Sequence, residues 1–266
     1  MYYKMLRNLI KPFIIFSLIL ILYLFSIHCS KTDPKKTEIL VFAPASMSNV
    51  LPKILEDYNN NLDIIFDFGG SSILASKITY GAPANIYISA GESTFIKLKN
   101  EGLVDGNPKI IVKNSLVVVT TKEFENIDTI YDINKKEISR IAIANPDFAP
   151  AGEYAKEALI NLKIWDKVKE KIVFGADVRS ALNYVITENA DIAIVYASDV
   201  LNTSLKSLEI IPLESYSEIT YPASIIKKSN HQEKSEKLLE YLISESIQEI
   251  FHSYGFNPII NIKSSN

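Results

Sequence analysis

From residue 38 onward, short apolar runs alternate with amphipathic segments, and this alternation restricts the chain to layered α/β architectures. Strands are expected at 39–42, 64–68, 86–89, 115–121, 141–144, 172–174, 192–196 and 223–226. Helices are expected between them at 49–58, 72–80, 94–101, 153–162 and 178–188, with a C-terminal helix over 233–254. In the segment 178–188, Val178, Leu182 and Val185 recur at helical spacing, and this stripe reads as core. Pro52 has no N–H for a helix interior, so its helix is expected to begin near Asn49 and hold the proline in its first turn. The run 109–121 reads as a strand leaving one lobe, the polar stretch 122–136 as entry into another, and 218–223 as the return. The expected lobes are therefore 38–121 with 220–266, and 122–219.

The first 28 residues read as an export signal: Lys4, Arg7 and Lys11 precede the apolar run 13–27, and no acidic residue occurs among them. That run is short for a bilayer span, which needs about 20 residues. Cys29 follows directly and is the chain's single cysteine, so no internal disulfide can form. Residues 29–37 make a polar tether. The stretch resembles a bacterial lipoprotein signal with Cys29 as the lipidated residue, although Ser26, Ile27 and His28 replace the usual Leu-Ala-Gly type of pattern. Loss of residues 1–28 removes three positive charges and no negative ones, moving the formal net charge from −3 to −6. An acidic protein is a poor partner for nucleic acid or anionic lipid.

Four turns placed to open helices carry small, hydroxylated or glycine residues: Ala43-Pro44-Ala45-Ser46, Gly69-Gly70-Ser71-Ser72, Pro150-Ala151-Gly152 and Gly175-Ala176-Asp177-Val178. The chain has only 9 glycines, and Gly69, Gly70, Gly152 and Gly175 all fall in these turns. A helix start presents unpaired N–H groups and the positive end of the helix dipole, so several starts aimed at one point make a site for a small anion. Ser46 and Ser71 each add a hydroxyl, and Ala151 has almost no side chain to obstruct its N–H. Asp177 reads as an N-cap for Ser180 or its neighbour, which leaves the Val178 N–H free. Tyr196 ends an apolar strand and brings a neutral phenolic donor.

Hydrolytic chemistry finds no support. After residue 28 the chain has only His231 and His252, neither beside a nucleophile motif, and no spaced ligand set for a metal cation. Gly69-Gly70-Ser71-Ser72 lacks the lysine and the spacing of a phosphate-binding nucleotide loop. No enzyme activity and no cofactor are expected.

The chain resembles the periplasmic molybdate-binding proteins of ABC importers at the segments 42–46, 68–75, 81–90, 114–119, 150–156, 177–181, 194–196, 221–222 and 254–256, which occur in that family's order. The resemblance covers about 38–256 and implies a two-lobed periplasmic-binding-protein fold of the α/β class, with a ligand cleft between lobes joined by hinge strands. It implies molybdate or tungstate as ligand, held by Ser46, Ser71, Ala151, Val178 and Tyr196, the positions already picked from their donors. It also implies delivery to an ABC permease in the cytoplasmic membrane by an extracytoplasmic, monomeric, lipid-anchored receptor. Asn85 stands where that family commonly has Asp, which bears on support of its turn, and Gly69-Gly70 replaces small or serine residues, which bears on loop stiffness. Arg179 is expected to pair with Asp177 instead of touching the anion. Donors without acceptors favour fully deprotonated dianions over phosphate, which carries a proton at neutral pH. The competing readings are a surface interaction lipoprotein with the same fold and a binding protein for another oxyanion such as sulfate.

Overall fold

Two five-stranded mixed sheets carry the chain in the computed structural model, which describes residues 36–260 apart from 57, 59, 60, 105, 122, 123, 125, 126, 202 and 204. The expected export signal at 1–28 and Cys29 lie outside the described residues. The first sheet has the order β2-β1-β3-β10-β4, built from β1 (Thr37–Pro44), β2 (Leu62–Gly69), β3 (Ile86–Ile88), β4 (Lys109–Asn114) and β10 (Ile219–Ile225). The second has the order β7-β6-β8-β5-β9, from β5 (Leu116–Thr120), β6 (Ile141–Ala144), β7 (Ile172–Gly175), β8 (Ile192–Tyr196) and β9 (Lys206–Ile210).

Period-two alternation explains how the first sheet is covered on both faces. In β1, Ile39, Val41 and Ala43 enter the main core, while Phe42 faces a second cluster with Leu74, Ile78, Tyr87 and Phe95. In β3, Ile86 and Ile88 face the main core and Tyr87 the second cluster. The centre of the second sheet is apolar without alternation: every residue of β6 and β8 is buried, as expected of parallel strands covered on both sides.

Helices follow the strands. They are α1 (Val50–Leu55), α2 (Ser71–Thr79), α3 (Glu92–Asn100), α4 (Pro150–Asn161), α5 (Trp165–Val168), α6 (Val178–Ile186), α7 (Ala197–Val200), α8 (Gln232–Leu242) and α9 (Glu245–Ser253). Asn49 takes the position before α1, so Pro52 occupies the first turn and its missing N–H costs no bond. In α6, Val178, Leu182 and Val185 are buried, joined by Ala181.

The structure departs from expectation at several places, one of them the return crossing, which precedes β10 because residues 219–223, expected as the connection, already belong to that strand. β4 and β5 are separate strands in different sheets, so the chain changes sheet at Ser115, whereas the expected lobe bounds 121 and 122 fall after β5. Asn114 makes the change, its Oδ1 accepting from the Ser115 N–H at 2.9 Å. The edge strand β9 was not expected. The expected helix 233–254 is two helices, broken at Ser244, whose backbone is extended. The buried Gln248 side chain supports the break, donating to the Leu242 carbonyl at 3.2 Å and the Ile111 carbonyl at 2.8 Å and accepting from the Ile259 N–H at 3.0 Å.

Asn85 does support its turn. Its Oδ1 accepts from the Leu40 N–H at 2.7 Å, its N–H donates to the Leu40 carbonyl at 2.8 Å, and its Nδ2 donates to Ser229 Oγ at 2.8 Å.

Candidate functional site

Four strand-to-helix turns, two from each sheet, meet at one small cavity. Ser46 lies in a 3-10 turn, Ala45–Met47, directly after β1. Ser71 opens α2 after Gly69 and Gly70. Pro150 takes the first position of α4, where it needs no N–H, and sets Ala151 at the second. Val178 opens α6, because the Asp177 carboxylate accepts from the Ser180 N–H at 2.8 Å and from Ser180 Oγ at 2.9 Å. Tyr196 ends β8. All five residues line the cavity, and each is at least nine-tenths buried.

The N–H groups of Ser46, Ser71, Ala151 and Val178 donate to no protein acceptor among the described residues. Buried backbone donors are nearly always paired, so four unpaired ones around one small space define a place for an acceptor. No lysine or arginine lines the cavity, and Asp177 is its one acidic residue. The attraction there comes from N–H dipoles and the N-termini of α2, α4 and α6.

The hydroxyls are held from behind. Ser71 Oγ accepts from the Ala90 N–H at 3.1 Å. Tyr87 Oη donates to the Ser71 carbonyl at 2.9 Å and lies 2.9 Å from Thr94 Oγ1, whose hydroxyl can donate to it, and burial pushes the Tyr87 phenol up to about 12. Ser46 Oγ lies 2.9 Å from Tyr221 Oη. Tyr196 Oη donates to the Ala90 carbonyl at 3.4 Å, a long bond that a better acceptor can displace. Burial, with smaller effects from Tyr221 and Tyr154, holds the Tyr196 phenol well above its ordinary value, so it keeps its proton at neutral pH.

Arg179 corrects an expectation. Its partner is Asp199, with Nε 2.9 Å from Oδ1, while Asp177 is committed to capping α6. Arg179 is absent from the cavity wall. The Asp199 side chain is fully buried in α7, and desolvation pushes its carboxyl up to about 6 against the pull of Arg179. A buried charge needs such a partner, because desolvation otherwise costs several kcal/mol.

The two halves touch across the cavity. The Ser72 N–H donates to the Phe148 carbonyl at 3.2 Å, and Ser93 Oγ donates to Glu153 Oε2 at 3.1 Å. Gly70 makes the approach feasible, since a β-carbon there would lie 2.5 Å from the Phe148 carbonyl oxygen. Ala90, Asn114 and Tyr221 received no role from sequence reasoning. All three stood in motifs of the resemblance, but nothing local to any of them points toward the cavity.

Two α/β lobes sharing a cleft lined with hydrogen-bond donors define a solute-binding protein. The chain belongs to the bacterial extracellular solute-binding protein family, which it matches over residues 39–257. It is 34% identical over 256 residues to YvgL of Bacillus subtilis, provisionally named an ABC transporter substrate-binding lipoprotein, covering 92% of this chain and 98% of that one. It is also 34% identical over 229 residues to the molybdate-binding protein ModA of Haemophilus influenzae, covering 83% and 90% of the two chains. The fold matches the solved periplasmic molybdate-binding protein of Azotobacter vinelandii with a TM-score of 0.75 at 21% identity, over 85% of this chain and all of that one.

Proposed function

We propose that this protein captures molybdate or tungstate outside the cytoplasmic membrane and delivers it to the permease of an ABC importer. The observation that carries this reading is the convergence of four unpaired N–H groups with the hydroxyls of Ser46, Ser71 and Tyr196. A fully deprotonated tetrahedral dianion matches such a wall, whereas the proton on hydrogen phosphate would face donors. The names of relatives such as ModA of H. influenzae favour molybdate over sulfate. Hydrogen bonds to a charged group contribute about 1.5 to 3 kcal/mol each. Roughly seven, less desolvation and the cost of association, leave a dissociation constant on the order of micromolar or tighter.

The lobes act as jaws hinged where the chain changes sheet, at Ser115 and again between β9 and β10. Closure excludes water from the anion and builds the surface that a permease recognises.

The test is the melting temperature of the purified protein against molybdate, tungstate, sulfate and phosphate. A ligand bound only by the native state at about 100 times its dissociation constant adds about 2.7 kcal/mol. Molybdate and tungstate should each raise the melting temperature by about 5 °C or more, and phosphate should not. Stabilisation by phosphate equal to that by molybdate would contradict the reading.

Lipid attachment at Cys29 belongs to the same proposal, supported by the tether that follows it and by the lipoprotein name of YvgL. Cys29→Ala should release the protein from the membrane fraction or block its processing. Unchanged processing and attachment would rule out the lipid anchor.

A further inference from the structure

Ser46 faces the cavity with a hydroxyl that can either donate or accept, and a site for a dianion needs it to donate. The hydrogen bonds behind Ser46 decide which. The Ser115 main chain can only donate its N–H, and it meets Asn114 Oδ1 at 2.9 Å. That contact fixes the orientation of the Asn114 amide, so Nδ2 is the atom facing Ser198 Oγ at 2.8 Å and Tyr221 Oη at 3.1 Å. An amide nitrogen donates and does not accept. Tyr221 Oη therefore receives a hydrogen from Asn114, and its own proton is left for Ser46 Oγ, 2.9 Å away. Ser46 Oγ is thereby filled from behind, and its proton turns toward the cavity.

From this geometry we infer that Asn114 and Tyr221 are positioning residues that set Ser46 as an obligate donor, through a one-way relay from Asn114 Nδ2 to Tyr221 Oη to Ser46 Oγ. The inference rests on the cavity being an oxyanion site. Burial supports the relay, since Asn114 is 4% exposed and Tyr221 0%, so these bonds are shielded from bulk solvent. Tyr221 sits where the pairing of β10 with β4 shifts register between Thr220 and Pro222, an irregularity of the kind that re-aims a side chain. Its ring is held edge-on by Tyr196 at 6.1 Å and Phe256 at 5.6 Å. Desolvation keeps its phenol far above the ordinary value, so the proton the relay needs stays in place. Asn114 also joins the two halves, because Ser198 follows shortly after Tyr196 in the second while Tyr221 stands behind Ser46 in the first. On Ser71 the Ala90 N–H does the same work without a relay.

A double-mutant cycle read by titration calorimetry with sodium molybdate tests the relay. Tyr221→Phe should weaken binding about tenfold in the parent protein. In a Ser46→Ala background the same change should cost less than about twofold, because the hydroxyl it directs is gone. Losses that multiply would overturn the relay, as would a Tyr221→Phe protein that binds as tightly as the parent. Neutron diffraction from the parent protein with molybdate provides a readout that needs no variant. Deuterium on Tyr221 Oη should point at Ser46 Oγ, and deuterium on Ser46 Oγ at the anion. Deuterium on Ser46 Oγ aimed at Tyr221 would overturn the relay alone, while a parent protein that binds no tetrahedral dianion would overturn the site reading beneath it.

Discussion

Val178→Pro should weaken molybdate binding by about a hundredfold while lowering the melting temperature by no more than about 5 °C. Val178 is the first residue of α6, a position where proline is accepted because its N–H has no intrahelical partner. Asp177 ahead of it is extended, with φ −150° and ψ −177°, as a residue before proline must be. The substitution thus removes one donor from the cavity and leaves the helix. A lost hydrogen bond to a charged group costs about 1.5 to 3 kcal/mol, and the ring carbon that replaces the N–H also crowds the anion. The packing lost from the buried valine should contribute only about 1 kcal/mol to stability. Calorimetry and thermal melts on the same preparation separate the two effects. Molybdate affinity within twofold of the parent would mean that the Val178 N–H is not a ligand.

Gly70→Ala is expected to act on closure. Gly70 has φ −63° and ψ 131°, which alanine adopts without backbone strain, so the cost of the variant lies in the contact between the halves. Its β-carbon would lie 2.5 Å from the Phe148 carbonyl oxygen on the opposite half, a main-chain atom that cannot swing aside. The halves must then stand further apart, lengthening the bond from Ser72 N–H to Phe148 and spreading the donors around the cavity. Affinity for molybdate should fall by about tenfold or more, the equivalent of one or two charged hydrogen bonds. Small-angle scattering should show less compaction with saturating molybdate than in the parent. Equal affinity and equal compaction would show that this contact does not limit closure.

The parts of this architecture legible in the sequence are those set by short-range patterns. β6 and β8 stand out as unbroken apolar runs because both of their faces are covered. The turns at Ser71, Ala151 and Val178 stand out because glycine, proline and an acidic cap act within a few residues of themselves. β9 was missed because Lys206–Ile210 is a largely exposed edge strand whose pairing with β5 depends on tertiary contacts. The crossing at Ser115 was missed because no glycine or proline interrupts 109–121, and the change of sheet is held by the Asn114 side chain. Likewise nothing but Ser244 and the distant bonds of Gln248 divides α8 from α9. Arg179 was assigned the acid nearest in sequence, although the fold brings Asp199 to it through β8 and α7. The link from Ser46 to Tyr221 spans 175 residues and leaves no local trace.

The proposed function places a molybdenum oxyanion in one small cavity, held by main-chain and hydroxyl donors. Anomalous diffraction at the molybdenum edge, from crystals of the protein grown with molybdate, tests it most directly. A single strong peak is expected in the cavity, with the anion's oxygens within hydrogen-bond distance of the Ser46, Ser71, Ala151 and Val178 N–H groups, the two serine hydroxyls and Tyr196 Oη. A peak elsewhere on the protein, or an anion held by Arg179, would contradict it.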